Sequence, residues 1–374
     1  MSRVFVVTIS VIITLFVFLS AKALAHPAWG VVVDRQGQVY FSDIEAVWKI
    51  DRQGNVSVFR AGVSGRHVHN ITIDAEDNIY GVDNTYNPQI ETYPRALWKM
   101  TPKGEFSYLV PMTNNLPLGR SVWRDSGGNT YSVEPYNNEK KETKIIKRTP
   151  DGSTSLFAGG KYGYLDGQKD KAEFSVITDM AFGRDEAIYL TDTDKVRKID
   201  KSGTVTTIYR EAGSPKNQQN PEPFSRLFGL TVDGQNDVFV ADYGNRRVLK
   251  ITSGSAVSTV ARAEQPWSPT GVAFKDGNLY ILEFGFTPPS EYTPRVRKLS
   301  SDGKITMLAT IGNSANPPVQ ETPTTTKNLE PTATAKTFVP YALIGMCAGV
   351  FALGFVIWRI RRKKLNTHQH KTYI

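Results

Sequence analysis

"NDVFVADYGNRRVLKITSGSAVSTV", residues 236–260, holds three short runs, "DVFVAD", "RVLKI" and "SAVSTV", set apart by turns of Gly, Asn and Ser. Each run is rich in β-branched and aromatic residues and too short for a globular helix, so each reads as a strand. The pattern recurs along the chain. An aromatic residue with an acid three positions later appears as "YFSD" at Tyr40, "YGVD" at Tyr80, "YSVE" at Tyr131, "YLTD" at Tyr189, "FVAD" at Phe239 and "YILE" at Tyr280. A second run follows each one: "VWKI", "LWKM", "IIKR", "VRKI", "VLKI" and "VRKL". A Gly turn then leads into a further β-rich run, as in "DRQGNVSVF" and "SDGKITML". With the apolar run that precedes each aromatic, every unit has four strands, and six units repeat at roughly 40 to 60 residues. That is the pattern of an all-β, six-bladed β-propeller. Each blade buries both sheet faces against its neighbours, which accounts for the Val, Ile and Tyr content.

Outward from the repeat, the two ends have different chemistry. Residues 1–25 carry Arg3, an apolar run and a small-residue "AKALA", the pattern of a secretory signal peptide cleaved after Ala25. The propeller is expected over 26–312. Residues 313–337 are rich in Thr, Pro and Asn and read as an extended stalk. The uncharged stretch 338–358 is long enough to cross a bilayer as a helix. Five of the six residues after Trp358 are Arg or Lys, so 359–374 is expected as a basic cytoplasmic tail, with the propeller on the other side of the cell membrane.

The formal charge of +9 follows from this topology. Eight basic residues lie in the leader and in the segment from 338 onward, which leaves 37 of the 45 against 36 acids in between. The outer part is nearly neutral, so no nucleic-acid partner is expected. The single cysteine, Cys347, falls inside the candidate span. The outer part therefore holds no disulfide and depends on its core.

The repeats also carry a resemblance. "FAGGKYGYLDGQKDKAEF" (157–174) with "AIYLTDTDKVRKID", and "DVFVADYGNRRVLKI" (237–251), resemble NHL-type repeats, in a TolB-like or gluconolactonase-like propeller architecture. The resemblance spans about residues 27 to 312; Val176 and Ile177 stand where the repeat usually has proline. It implies the fold and leaves activity open, because propellers serve binding proteins and enzymes alike. The gluconolactonase relatives of this architecture use an acid at the first-strand start of one blade as a metal ligand. Here that position in the first blade is Gly30, so any metal site would be a different one.

The first strand of each blade lines the central channel. The starts of these strands should circle one mouth: Trp29-Gly30, His69-Asn70, Arg120-Ser121, Thr178-Asp179, Phe228-Gly229 and Thr270-Gly271. Two residues earlier lie Pro27, His67, Leu118, Val176, Arg226 and Ser268. The six acids that end the second strands repeat with the blades and read as structural acceptors of turn N–H groups. The polar residues that do not repeat carry more information. His67, His69, Asn70 and Asp179 are candidate ligands for a divalent metal. His67, His69, Arg120 and Asp179 are candidate catalytic groups, with a neutral His as base and Arg120 steadying negative charge. Trp29, His69, Asn70, Arg120, Glu134, Asp179 and Arg226 are candidate ligand-binding residues. A plain solvated rim is the competing explanation. The loops 86–95 and 286–295, each with Tyr, Pro, Glu and Arg, are expected beside the same face. No nucleophile elbow, phosphate-binding Gly loop or zinc-peptidase motif is present. Two functions remain in view: a displayed module binding a protein or small-molecule ligand, and a hydrolase or lyase with a site at the channel mouth.

Overall fold

A computed structural model of the chain describes residues 27–85, 93–114, 119–134, 141–211, 227–287 and 291–312. The expected leader, stalk, membrane span and tail lie outside these residues. Among the described residues no helix is long and apolar enough to cross a membrane.

Six antiparallel sheets follow one another along the chain, each built from consecutive strands. They are the six blades. The innermost strands are Val31–Val33, Ile71–Ile73, Val122–Arg124, Ile177–Phe182, Leu227–Val232 and Trp267–Lys275. Five blades have four strands, as the repeat required. Blade 4 has a fifth: Gly167–Gln168 pairs with the outermost strand Thr204–Arg210 before the chain turns inward. The stretch "GYLDGQKD" therefore straps the outer edge of blade 4.

The aromatic of the repeat has a partner in the turn ahead of it. The hydroxyls of Tyr40, Tyr80, Tyr131 and Tyr189 donate to Asp34, Asp74, Asp125 and Asp185 at 3.2, 2.7, 3.1 and 2.9 Å. The same carboxylates accept backbone N–H groups of their own turns, for example Gln36 and Gln38 at Asp34. One Asp thus closes the turn and fixes the ring beside it.

Each interface between neighbouring blades has its own apolar cluster. Blades 1 and 2 share Tyr40, Ile71 and Trp98; blades 3 and 4 share Tyr131, Phe174 and Leu190; blades 4 and 5 share Tyr189, Leu227 and Leu249; blades 5 and 6 share Phe239, Val248 and Ile281. The cluster between blades 2 and 3 is the smallest among the described residues, with Val82, Leu97 and Val122 at its centre. Blades 6 and 1 close the ring through a large cluster containing Phe41, Trp48, Leu282, Phe284 and Val296. Among the described residues no strand is exchanged across this seam. The ring closes by side-chain packing and by close backbone approach: a Cβ on Gly271 would sit 2.2 Å from the Trp29 carbonyl oxygen.

Of the strand-end acids, Asp43 accepts a turn N–H as expected, while Asp83, Asp192, Asp242 and Glu283 mainly pair with arginines. Asp83 takes both oxygens to Arg60 of blade 1, each at 2.8 Å. Asp192 holds Arg197 at 2.9 Å, and Asp242 holds Arg247 at 2.8 Å. Glu283 holds Arg295 and Arg297. Asp43 accepts Trp48 Nε1–H at 2.6 Å and the Ala46 N–H at 2.7 Å.

Candidate ligand site at the channel mouth

The strand starts form one ring, as the register predicts, and the ring is asymmetric. On blades 1, 5 and 6 it is glycine. A Cβ on Gly30 would lie 2.5 Å from the Ile71 nitrogen, and one on Gly229 would lie 2.7 Å from Gly271 Cα. Glycine at these points lets neighbouring inner strands approach closely. On blades 2, 3 and 4 the same positions are Asn70, Ser121 and Asp179, all buried.

Asp179 is the centre of this ring. Its Oδ1 accepts Trp123 Nε1–H at 2.6 Å, the Met180 N–H at 3.0 Å and Asn70 Nδ2–H at 3.3 Å. Its Oδ2 accepts the Leu230 N–H at 2.8 Å. Donors from blades 2, 3, 4 and 5 therefore meet on one carboxyl. Burial nevertheless pushes its pKa up to about 7, against the opposing pull of these donors. The channel at this ring is a cavity of about 220 Å³, lined by Trp29, Asn70 and Asp179 of the predicted site together with Ile71, Trp123 and Arg124 among others.

This geometry does not fit the expected metal site. Asp179 already serves four donors. Asn70 spends its amide on Asp179 and its carbonyl on the Ile71 N–H at 2.9 Å. His69 is buried, stacked on Trp29 with centroids 5.6 Å apart, while His67 is exposed. Among the described residues no three of His, Cys, Asp and Glu come together as a metal-binding group. Asp179 and Asn70 thus join the blades through hydrogen bonds and also line the channel cavity.

"RHVHN" is the junction between blades 1 and 2. The His69 carbonyl accepts the N–H groups of Trp29 at 2.8 Å and Gly30 at 3.1 Å. Val68 bridges to Ile44, and His67 bridges to Asn84. Two segments thus bring their side chains to one spot while their backbones are fixed by blade packing. Trp29 is itself buried, between His69 and Phe228, and its Nε1 finds no partner among the described residues. Glu134 is half-buried at the end of its strand, where its N–H donates to the Lys144 carbonyl at 2.9 Å. Arg226 and Leu118 lie outside the described residues.

What the sequence reading missed is Asn84. Its Nδ2 donates to the carbonyls of His67 at 3.3 Å and Arg120 at 3.2 Å, and its Oδ1 accepts Arg95 Nε–H at 3.2 Å. One amide therefore gathers His67, Arg120 and Arg95 at the mouth above blades 2 and 3. Here His67 and Arg120 are exposed, and Tyr93 stands beside Arg95. The signal was in the sequence: "VDN" at 82–84 places an amide directly after the strand-end acid, where the other units have Ile44, Pro135, Thr193, Tyr243 and Phe284.

No protein-family model matches the chain, and no curated protein matches it in sequence. Solved structures resemble it at low identity. A streptogramin B lyase is 16% identical over 78% of this chain and 87% of its own, with a TM-score of 0.49. A gluconolactonase from Xanthomonas campestris is 15% identical over 68% and 83%, with a TM-score of 0.47. A calcium-binding regucalcin from Agrobacterium tumefaciens is 12% identical over 71% and 84%, with a TM-score of 0.47. At this distance the likenesses say nothing of activity.

Proposed function

We propose that this chain is a propeller of NHL-like repeats, tethered outside the cytoplasm through residues 338–358, that binds a small-molecule ligand at the channel mouth above blades 2 and 3. One observation carries the reading. Asn84 holds the backbone carbonyls of His67 and Arg120 and the Arg95 guanidinium at a single place, and neither His67 nor Arg120 belongs to the repeat. A merely wetted rim needs no such clamp. The test is ligand screening on the full chain by thermal shift, with small sugars, lactones and organic acids. A binder is expected whose effect weakens about tenfold or more in His67→Ala, the order set by losing one well-placed polar contact. A binder indifferent to His67→Ala and Arg120→Gln would place the site elsewhere.

A second reading, a hydrolase or lyase at the same mouth, has its own observation. The His67 ring meets His69 edge-on at 6.0 Å, beside Arg120's segment. An exposed imidazole can remove a proton from a bound substrate, and a cation at the same mouth would steady the resulting anion. Turnover of a bound lactone or ester that disappears in His67→Ala would select this reading; binding without turnover would select the first.

A further inference from the structure

Buried arginines in this propeller follow a rule. Five are buried among the described residues: Arg60, Arg95, Arg197, Arg295 and Arg297. Four of them sit on carboxylates: Arg60 on Asp83, Arg197 on Asp192 and Asp166, and Arg295 and Arg297 on Glu283. A buried guanidinium without such a partner is costly, so the rule is what electrostatics demands.

Arg95 breaks it. Its only side-chain hydrogen bond among the described residues is from Nε to the neutral Asn84 Oδ1, and its guanidinium makes no ion pair there. The reason lies in strand register. At the start of the third strand, Lys195, Arg247 and Arg295 lie opposite the acids Asp192, Asp242 and Glu283. In blade 2 the residue opposite Asp83 is Ala96, and the arginine falls one position earlier, opposite Asn84. Asp83 itself is committed to Arg60 and Arg66. Blade 2 thus keeps the base and moves it out of reach of its acid.

The neighbours add to the cost. Burial, and then the charge of nearby Arg120, hold the Arg95 guanidinium below the ordinary arginine value; Tyr93 opposes them, and among the described residues no carboxylate does. Arg95 is only 8% exposed, yet Tyr93 beside it is half exposed, at 49%, and Arg120 is open to solvent. Nε is anchored, which leaves the two terminal nitrogens of the fork to address a ligand. Two parallel N–H donors on a fixed plane suit a carboxylate or phosphate edge.

We propose that Arg95, held by Asn84 and assisted by Arg120, is an oxyanion-binding subsite that takes the carboxylate or phosphate group of the ligand. The proposal rests on the ligand-site reading above and specifies the ligand's chemistry. In the free protein Arg95 is a stored electrostatic cost, and the anion supplies the missing partner.

The experiment is titration calorimetry on the full chain in detergent, at constant ionic strength with chloride as background. The probes are benzoate, its neutral isostere benzamide, and inorganic phosphate. The variants are Arg95→Met, Arg120→Gln and His67→Ala. Benzoate is expected to bind about tenfold or more tighter than benzamide, with that advantage lost in Arg95→Met and reduced in Arg120→Gln, which is exposed and leaves the fold intact. Phosphate binding that depends on Arg95, without benzoate binding, would support the subsite and identify its anion as phosphate. Arg95→Met should also raise Tm in anion-free buffer, because it removes a buried charge without orphaning an acid; a structural arginine would lower it. If benzoate and benzamide bind equally, weaken in His67→Ala and ignore Arg95→Met, the mouth remains a site and the anion proposal falls. If no probe binds while the ligand screen finds a binder that depends on His67, the anion proposal falls and the ligand site stands; if neither finds a binder, both fall.

Discussion

At the scale of single residues, Asp179 shows how a position can be located from sequence while its hydrogen-bond partners cannot. The register placed it at the channel mouth, and the mouth is where it lies. Its chemistry depends on Trp123, Asn70 and Leu230, which come from three other blades and share no sequence spacing with it. Only the closed ring reveals that its oxygens are already in use. The shift of its pKa to about 7 has a testable sign. Burial raises the folded value above the usual carboxylate value of 3.8, so the folded state binds the proton more tightly than the unfolded chain. The stabilisation is full below pH 4 and is lost as pH rises through 7. Asp192, raised to about 6 by burial, contributes in the same direction over a lower window. Thermal unfolding between pH 5 and 8 should therefore show stability falling with pH, by at most about 1.4 kcal/mol per pH unit for one group. Asp179→Asn should flatten the upper part of that curve and leave the part due to Asp192. Parallel curves for the two proteins would mean that the four donors, rather than burial, control Asp179.

At the scale of elements, the strands and their order were legible because period-two patterning and Gly, Asn and Asp turns act locally. Features that depend on pairing were not. The fifth strand of blade 4 is two residues long and forms only against Thr204–Arg210. A bulge recurs between the third and fourth strands of all six blades, at Val47/Trp48, Leu97/Trp98, Ile145/Ile146, Val196/Arg197, Val248/Leu249 and Val296/Arg297. The extra residue is on the fourth strand and is apolar each time: Phe59, Leu109, Phe157, Ile208, Val260 and Leu308. A bulge increases the local twist of its strand. Its repetition in every blade makes it part of the repeat rather than an accident of one. The turn between the same strands is a Gly turn in five blades, with Gly54, Gly104, Gly152, Gly203 and Gly303 at φ of 85–93°. Blade 5 departs: the left-handed residue is Ser255 at φ 66°, one position after Gly254. A side chain pays a steric cost there that glycine does not. Ser255→Gly should raise stability by about 1 kcal/mol in denaturant titration. A neutral or negative effect would show that the Ser255 side chain compensates locally.

At the scale of the molecule, the ring is held by six interfaces of unequal strength, and their placement bears on function. The candidate site lies above blades 2 and 3, where the apolar cluster is smallest and the Asn84 clamp replaces part of the packing. Blades 6 and 1 need the opposite arrangement. They are the first and last units; among the described residues they exchange no strand, and packing with close backbone approach holds the ring there. Sequence counting gave six blades and left no chain for a shared one; it could not say that closure by side chains alone would suffice, because that depends on how much apolar surface meets across the seam. Phe41 and Leu282 are both fully buried in that cluster, on opposite sides of it. Phe41→Ala removes a large ring from a close-packed site and should cost about 3–5 kcal/mol, and Leu282→Ala about 2–5 kcal/mol. A cost of that size at a seam with no covalent or strand-level tie should open the ring before the blades themselves unfold. Hydrogen exchange should then show blades 1 and 6 losing protection together in either variant, while blades 3 and 4 retain theirs. Uniform loss of protection around the ring would instead mean that the six blades fold as one cooperative unit and that the seam is as strong as any strand-bonded closure.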